Sequence, residues 1–495
     1  MIRKLTIGKV ADKAEHRRRN RPMPELHGPW LELSIFVPVI AAVIVGLLPK
    51  QSSRWRISSL ASGGVLLISL LDWFDFASLH TFEAHDPSSM TESLFGSEII
   101  VVDEFNAPLI ALAAGLFFVV ILATPTSKCG RFPFGLTLTS MSLLLCLLSC
   151  RSPVAIMTLL AAQNLLPLVE LHSRKQAWQF FAVHQLLSMS LIVVGYYGFG
   201  SWSGDNPAST VGMLLTAAGI LIRSGCIPFH CWIVDLFDRA SLGTGLLFVT
   251  PMAGAYALVR LVLPIAPDWI FGWISWFSLF TAAYASAMLL VQVSARRFFA
   301  YLMIGNSSLL LVGLESLTPI GLTGALSLWM SIGIALMSLG VILRALEGRV
   351  GRVSLDRYHG LFRQMPMLAA FFLLALLASI GFPGTVGFVG VELLVECSVT
   401  SSPFFAVIIL LVVTINAVAA MRFYFRIFTG SPAPATISMQ PRPAELAVIW
   451  IFTAMIVLGG LFPQAGVDTR YHAAQELIQR RNQHIEPITS GRISE

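Results

Sequence analysis

Apolar positions gather into long unbroken runs separated by short polar loops, and neither strand alternation nor a one-sided helical stripe describes them. Many runs reach the roughly 18 residues that a helix needs to cross a bilayer. Spans are expected near 30–49, 57–74, 107–124, 133–150, 154–171, 176–199, 209–235, 241–263, 268–293, 297–314, 320–343, 366–396, 402–425 and 443–463, about 14 in all. The runs 209–235 and 366–396 are overlong and interrupted, the first by Gly225 and Pro228, the second by Gly381, Pro383, Gly384 and Gly387. Proline removes a backbone donor and glycine loosens the turn, so both helices should break near mid-membrane. The expected fold is an all-α polytopic membrane protein. The regular spacing of the two breaks points to an internal repeat, because transporter folds commonly pair broken helices from two inverted halves.

Composition agrees with this pattern: 56% of residues are hydrophobic, 12% are charged, and the mean hydropathy is +0.76. The net charge of +6 does not indicate nucleic acid, since the basic residues lie in short loops between apolar runs. With the Lys50–Arg56 loop cytoplasmic, Arg131, Lys175, Arg296, Arg297, the cluster Arg344 to Arg363, Arg422 and Arg442 fall on the same side. Asp75, Glu83, Asp86, Asp103, Asp268 and Glu315 fall in the opposite loops. The basic tail 1–29 disagrees, because an even span count puts it outside. Localisation is expected in the inner (plasma) membrane. The six cysteines form no disulfide or zinc pattern, and no metal site is expected. With no nucleotide loop, haem pair or iron–sulfur spacing, no cofactor is expected on the chain.

Charges inside apolar runs are costly and mark candidates for an ion path. Arg223 lies five residues before Pro228. Its high pKa suits it to fix a charge rather than to load and release a proton, and the plainer reading is an arginine snorkelling to an interface. His230 and Asp235 follow in the same run; a histidine capping the broken end is the bland alternative. Glu170, near His172, is four residues before Arg174, so an interfacial ion pair is its simpler role. His184 lies inside the sixth run. Glu392 and Glu396 share one helix face after the second break and could carry protons. Gln163, Asn164, Asn306 and Asn416 could line a wet path or bond between helices.

The stretch RSGCIPFHCWIVD resembles the lysine and PxHxWLPDA pattern of the antiporter-like subunits of complex I, Mrp cation antiporters and membrane-bound hydrogenases. SARRFFAYLMIGNSSLLLVGL, SLDRYHGLFRQMP, GFPGTVGFVGVELL and RFYFRIFTG are similar, in order, to further motifs of that superfamily, from about residue 154 to 430. The resemblance implies 14 helices, with two inverted five-helix repeats at 133–263 and 268–425. N-terminal helices at 30–124, a last helix at 443–463 and a polar tail at 464–495 complete the expected organisation. It also implies a polar axis through the membrane. Departures are many. Arg223 stands for the lysine, Ala162 for the helix-5 glutamate, Met252 or Leu246 for the helix-8 base, Ser331 and Ala335 for the helix-11 pair, and Val391 for the helix-12 charge, with Glu392 beside it.

The expected function is a proton-translocating subunit of a multi-subunit complex, related to complex I and hydrogenases or to Dab-type inorganic-carbon transporters. Its partners would be quinone-reductase subunits or a large cytoplasmic zinc protein, besides protons and the lipid bilayer. A non-conducting scaffold for a soluble enzyme and a monovalent cation/proton antiporter subunit are the alternatives. Arg223→Ala and Glu392→Gln are each expected to abolish activity on the conducting reading.

Overall fold

The computed structural model describes residues 25–87, 99–124, 129–130, 132–198, 207–431 and 440–490, so the tail 1–24 lies outside the described residues. Helices stand on all of the expected apolar runs. The first half comprises α1 (Trp30–Leu47), α2 (Gln51–Leu79), α3 (Ala107–Leu122), α4 (Phe134–Ser149), α5 (Pro153–Gln163), α6 (Leu165–Ser173), α7 (Gln179–Tyr197), α8 (Pro207–Ser224), α9 (Cys231–Arg239), α10 (Leu242–Val249) and α11 (Ala253–Ala257). The second comprises α12 (Asp268–Val291), α13 (Ala295–Leu314), α14 (Pro319–Val350), α15 (Pro366–Ser379), α16 (Gly387–Ser401), α17 (Pro403–Phe428), α18 (Pro443–Leu461) and α19 (Gln464–Ser490). Ten helices among the described residues are long and apolar enough to cross a membrane, counting α5–α6 and α10–α11 with its π turn as one each. Ala107–Leu122, Phe134–Ser149, Ala208–Ser224 and Pro366–Ser379 are shorter apolar helices. The chain is thus a helical, multi-pass membrane protein.

Both expected breaks are present. Gly225, at φ +77°, ends α8, and a turn through Pro228 leads into α9. A Cβ at residue 225 would overlap the Ile233 side chain, so the close return of the chain also needs glycine. In the second break Gly381 and Gly384 have φ of +74° and +81°, flanking Pro383. Two further interruptions occur. Pro167 cannot donate to the Gln163 carbonyl, and the helix bends at Asn164 between α5 and α6. The run 241–263 is divided at Thr250–Met252, where Met252 is left-handed at φ +52°, and then widens into a π turn at Leu258–Val262. The Trp329 indole donates to the buried Pro251 carbonyl at 3.3 Å and so satisfies an acceptor left by the broken ladder.

Central helices are buried nearly all round. In α13 and α14 about nine-tenths of the apolar stretch is covered, against 39% or less for α1, α2, α7, α17 and α18. The latter present Leu, Ile, Val and Phe outward, as lipid-facing helices do. α14 runs to Val350, so Arg344, expected in a loop cluster, is buried within it. It donates to the Val120 carbonyl (2.9 Å) and the Thr124 hydroxyl (3.0 Å).

The end carrying the acidic loops is closed by charge pairing. Residues 464–490, expected as a polar tail, form α19. Its Arg470 donates to the Glu104 and Phe105 carbonyls (2.9 and 3.4 Å). Arg480 pairs with Glu83, and Arg481 pairs with Asp268 and donates to the Leu263 carbonyl at 2.8 Å. Beneath it Asp103 accepts from Arg260 at 2.8 Å and lies 3.5 Å from Arg151. Burial alone would raise the Asp103 carboxyl, but the two guanidiniums hold it below the usual carboxylate range. A two-residue ladder, Glu83–Ala84 against Val102–Asp103, fixes these acids in place.

Candidate functional site

Arg223, the last charged residue of α8 before the break, is 5% exposed. It points across the bundle at two neutral amides. Its Nη1 donates to Asn164 Oδ1 at 2.5 Å and to Gln185 Oε1. Its guanidinium carbon stands 4.4 Å from the Phe248 ring centroid, a cation–π contact in a dry setting. Nη2 is buried with no hydrogen-bond partner. Each ligand is placed by a local feature: Asn164 by the bend that Pro167 causes, Gln185 by the buried stripe Phe181–Gln185–Ser188–Ile192 of α7, and Phe248 by the last turn before the α10–α11 interruption.

A small cavity, about 30 Å³, opens beside the guanidinium and has room for one or two waters. Arg223, Ser224, Phe248, Met252, Gly254 and Ser307 are among its lining residues. Gly254 is required here, since a Cβ would run into the Ser224 hydroxyl and the Arg223 stem. The site therefore sits where three interrupted helices meet, with α13 behind it. Exposed backbone at membrane depth is tolerated where it is buried in protein or lines a wet cavity.

The remaining candidates separate clearly. Asn164 belongs to the site. His230 is buried one turn beyond the break, its ring 5.2 Å from Tyr284 and 6.0 Å from Tyr301, and it does not touch Arg223's ligands. Asp235 makes the i, i+4 ion pair with Arg239 (2.5 Å). Glu170 has the simpler role: it pairs with Arg174 at 2.6 Å, accepts from the Ser241 backbone N–H at 3.0 Å, and accepts from the Thr244 hydroxyl. It thereby braces Ser241, whose hydroxyl caps α10 by accepting from the Thr244 N–H at 3.2 Å. His184 is half-buried and bonds back to the Phe180 carbonyl at 2.8 Å, while its neighbour Gln185 turns inward. Gln163 is buried, and Asn306 donates within its own helix to Leu302 at 2.9 Å. Asn416 is buried on α17. No group of three or more His, Cys, Asp or Glu that could hold a metal occurs among the described residues.

Glu392 and Glu396 require a correction. Both are exposed on the outer surface of α16 and not in the interior. The helix turns Gly387, Gly390, Leu394 and Cys397 inward, and Gly390 lies directly against Leu328 of α14. Close packing of the small residues decides the rotation, and the carboxylates fall on the opposite face. A second correction concerns Glu315, expected in an outer loop: it is 5% exposed and stands at the end of α13 inside the bundle. Gln185, Phe248 and Glu315 were not singled out by the sequence. An inward polar residue in a mostly apolar run was the only signal for the first.

Fold and site together define a multi-pass membrane protein with a buried cation beside a small cavity at a junction of broken helices. The sequence profile of the family described as "NADH:quinone oxidoreductase/Mrp antiporter, TM" matches residues 154–416, and the chain belongs to that family of antiporter-like membrane subunits. NADH-quinone oxidoreductase subunit M of Rickettsia prowazekii is 28% identical over 265 residues, covering 52% of this chain and 54% of that protein. NAD(P)H-quinone oxidoreductase chain 4 1 of Nostoc sp. is 25% identical over 509 residues, covering 94% and 93%. This chain thus spans about half the length of the first relative and nearly all of the second. In fold it is similar to a chain of respiratory complex I from Thermus thermophilus with bound NADH (TM-score 0.80, 22% identity, 91% and 99% covered). It is also similar to a chain of the Mrp complex from Dietzia sp. (0.78, 17%, 91% and 99%).

Proposed function

We propose that this chain is a proton-translocating subunit of a multi-subunit complex in the inner (plasma) membrane, with the Arg223 junction as the controlling point of the path. The carrying observation is a buried guanidinium held by neutral amides and open to a small cavity. Desolvating that charge costs several kcal/mol, and a pure anchor has no use for it. Arginine stays charged, so its role is to set the field that a proton meets in the cavity and not to shuttle the proton itself. Fourteen crossings arranged as two inverted repeats, at 133–263 and 268–425, are the architecture on which this reading rests. His230 and Asp235 would lie on the exit from the cavity toward the basic loops.

Glu392 and Glu396 support assembly with other subunits. Charged side chains on a lipid-facing helix are expensive, and a neighbouring membrane subunit bearing a cation would relieve the cost. The names of the relatives favour quinone-reductase subunits as partners. A carbon-uptake complex with a cytoplasmic zinc protein is the second reading, favoured by the loss of the usual relay residues at Ala162, Val391, Ser331 and Ala335. Co-purification with mass identification of partners separates these two. Reconstitution of the purified complex into vesicles holding a pH-sensitive dye tests translocation; a complex that turns over without moving protons refutes it.

A further inference from the structure

Glu315 is an acid that nothing in the Arg223 junction yet uses. Along α13, Ser307 and Leu311 line the Arg223 cavity, and Glu315 follows Leu311 by one turn on the same face. A four-residue step is about 6 Å along a helix axis, so the carboxyl lies just beyond the cavity, toward the end that α19 closes. Its surroundings are built for a neutral acid. Neither carboxyl oxygen makes a hydrogen bond of ordinary geometry, and both are sealed from solvent. The Ser275 and Ser278 hydroxyls of α12 stand beside it. The Cys226 thiol, in the α8–α9 break, is within electrostatic range. On the α16 side, Cys397 meets Thr318 at 3.0 Å and approaches Ser316. No arginine, lysine or histidine among the described residues forms an ion pair with Glu315. A carboxylate there without a counter-ion is costly, and taking up a proton removes the cost.

We propose that Glu315 is the proton-loading group of the path, standing between the acidic end and the Arg223 cavity. The proposal rests on the translocation reading above and names the site that carries the proton. The carboxylate takes a proton from water at the acidic end and becomes the neutral acid. Release breaks that O–H bond and passes the proton to water in the cavity. The carboxylate left behind lies one helical turn beyond Leu311, which lines the cavity that Arg223 also borders, until it is reloaded. The two roles are thus divided between an arginine that cannot titrate and a glutamate that can.

The test uses the intact complex in membranes, with Glu315→Gln and Glu315→Asp. Infrared difference spectra across a pH step should show a deuterium-sensitive carboxylic-acid carbonyl band that Glu315→Gln removes and Glu315→Asp keeps, shifted. Proton translocation should fall at least tenfold in Glu315→Gln at normal assembly and recover in part with Glu315→Asp. Identical spectra in wild type and Glu315→Gln, or translocation by Glu315→Gln at the wild-type rate, would overturn the proposal. If the Glu315 band is present but the wild-type complex moves no protons, the translocation reading fails, and with it Glu315's place on a path.

Discussion

Replacing Arg223 by alanine deletes the charge, both amide contacts and the Phe248 contact at once. Hydrogen bonds to a charged group contribute about 1.5–3 kcal/mol each, and a desolvated cation–π contact contributes about 2. Against this stands the relief of several kcal/mol of desolvation. The opposing contributions nearly cancel in stability, which is why the fold should survive while the path fails. Arg223→Lys restores the charge but not the geometry: a lysine presents a point charge where the planar fork reached Asn164 and Gln185 together. A buried lysine also titrates more readily than arginine. We therefore expect Arg223→Ala to reduce translocation at least tenfold and Arg223→Lys to restore much of it. Gln185→Leu should cost less than Arg223→Ala, and it should cost nothing further in the Arg223→Ala background, because its partner is already gone. The assay is dye-reported proton uptake by vesicles of the reconstituted complex, normalised to assembled protein. Wild-type rates in Arg223→Ala would refute the reasoning, as would strictly additive losses from Arg223→Ala and Gln185→Leu.

Three further outcomes are expected. Glu392→Gln should reduce the yield of assembled complex, read by native electrophoresis, while flux per assembled complex stays near wild type; the reverse pattern would return Glu392 to the path. Asp103→Ala leaves the Arg260 cation buried without its partner, and losing one member of a buried pair costs about 3–5 kcal/mol, so thermal unfolding in detergent should shift down clearly. Asp86 accepts from the Leu31 and Glu32 backbone N–H groups (3.3 and 2.8 Å), and burial pushes its carboxyl up from 3.8 to about 6. A folded value above the unfolded one means stability falls as pH rises from about 4 to about 6, by up to about 3 kcal/mol; Asp86→Asn should flatten that slope in thermal shift assays.

Much of this molecule is written in its sequence. Run length and loop charge locate the helices, and Gly225, Pro228, Gly381 and Pro383 mark the two breaks because backbone chemistry acts locally. The buried Arg223 was legible for the same reason, since a charge in an apolar run is conspicuous. Helix rotation was not legible from charge alone: Glu392 drew attention as an acid, yet Gly387, Gly390, Leu394 and Cys397 set which way α16 faces. Glu315 was hidden differently. It ends an apolar run, which reads as a loop, and only the shorter reach of α13 beside the 24-residue α12 leaves it inside. The interruption at Thr250–Met252 offered one proline in a run otherwise fit to continue, and its tertiary partner Trp329 lies far along the chain.

The arginine-rich helix α19 bears on how the molecule is made. It is the last of the described helices to leave the ribosome, yet Glu83, Asp268 and the carbonyls of Glu104 and Phe105 take their partners from it. Until it arrives, the earlier helices present those acceptors to water. Its docking latches that end from the outside, so the order in which the chain is made leaves the closing contacts to α19.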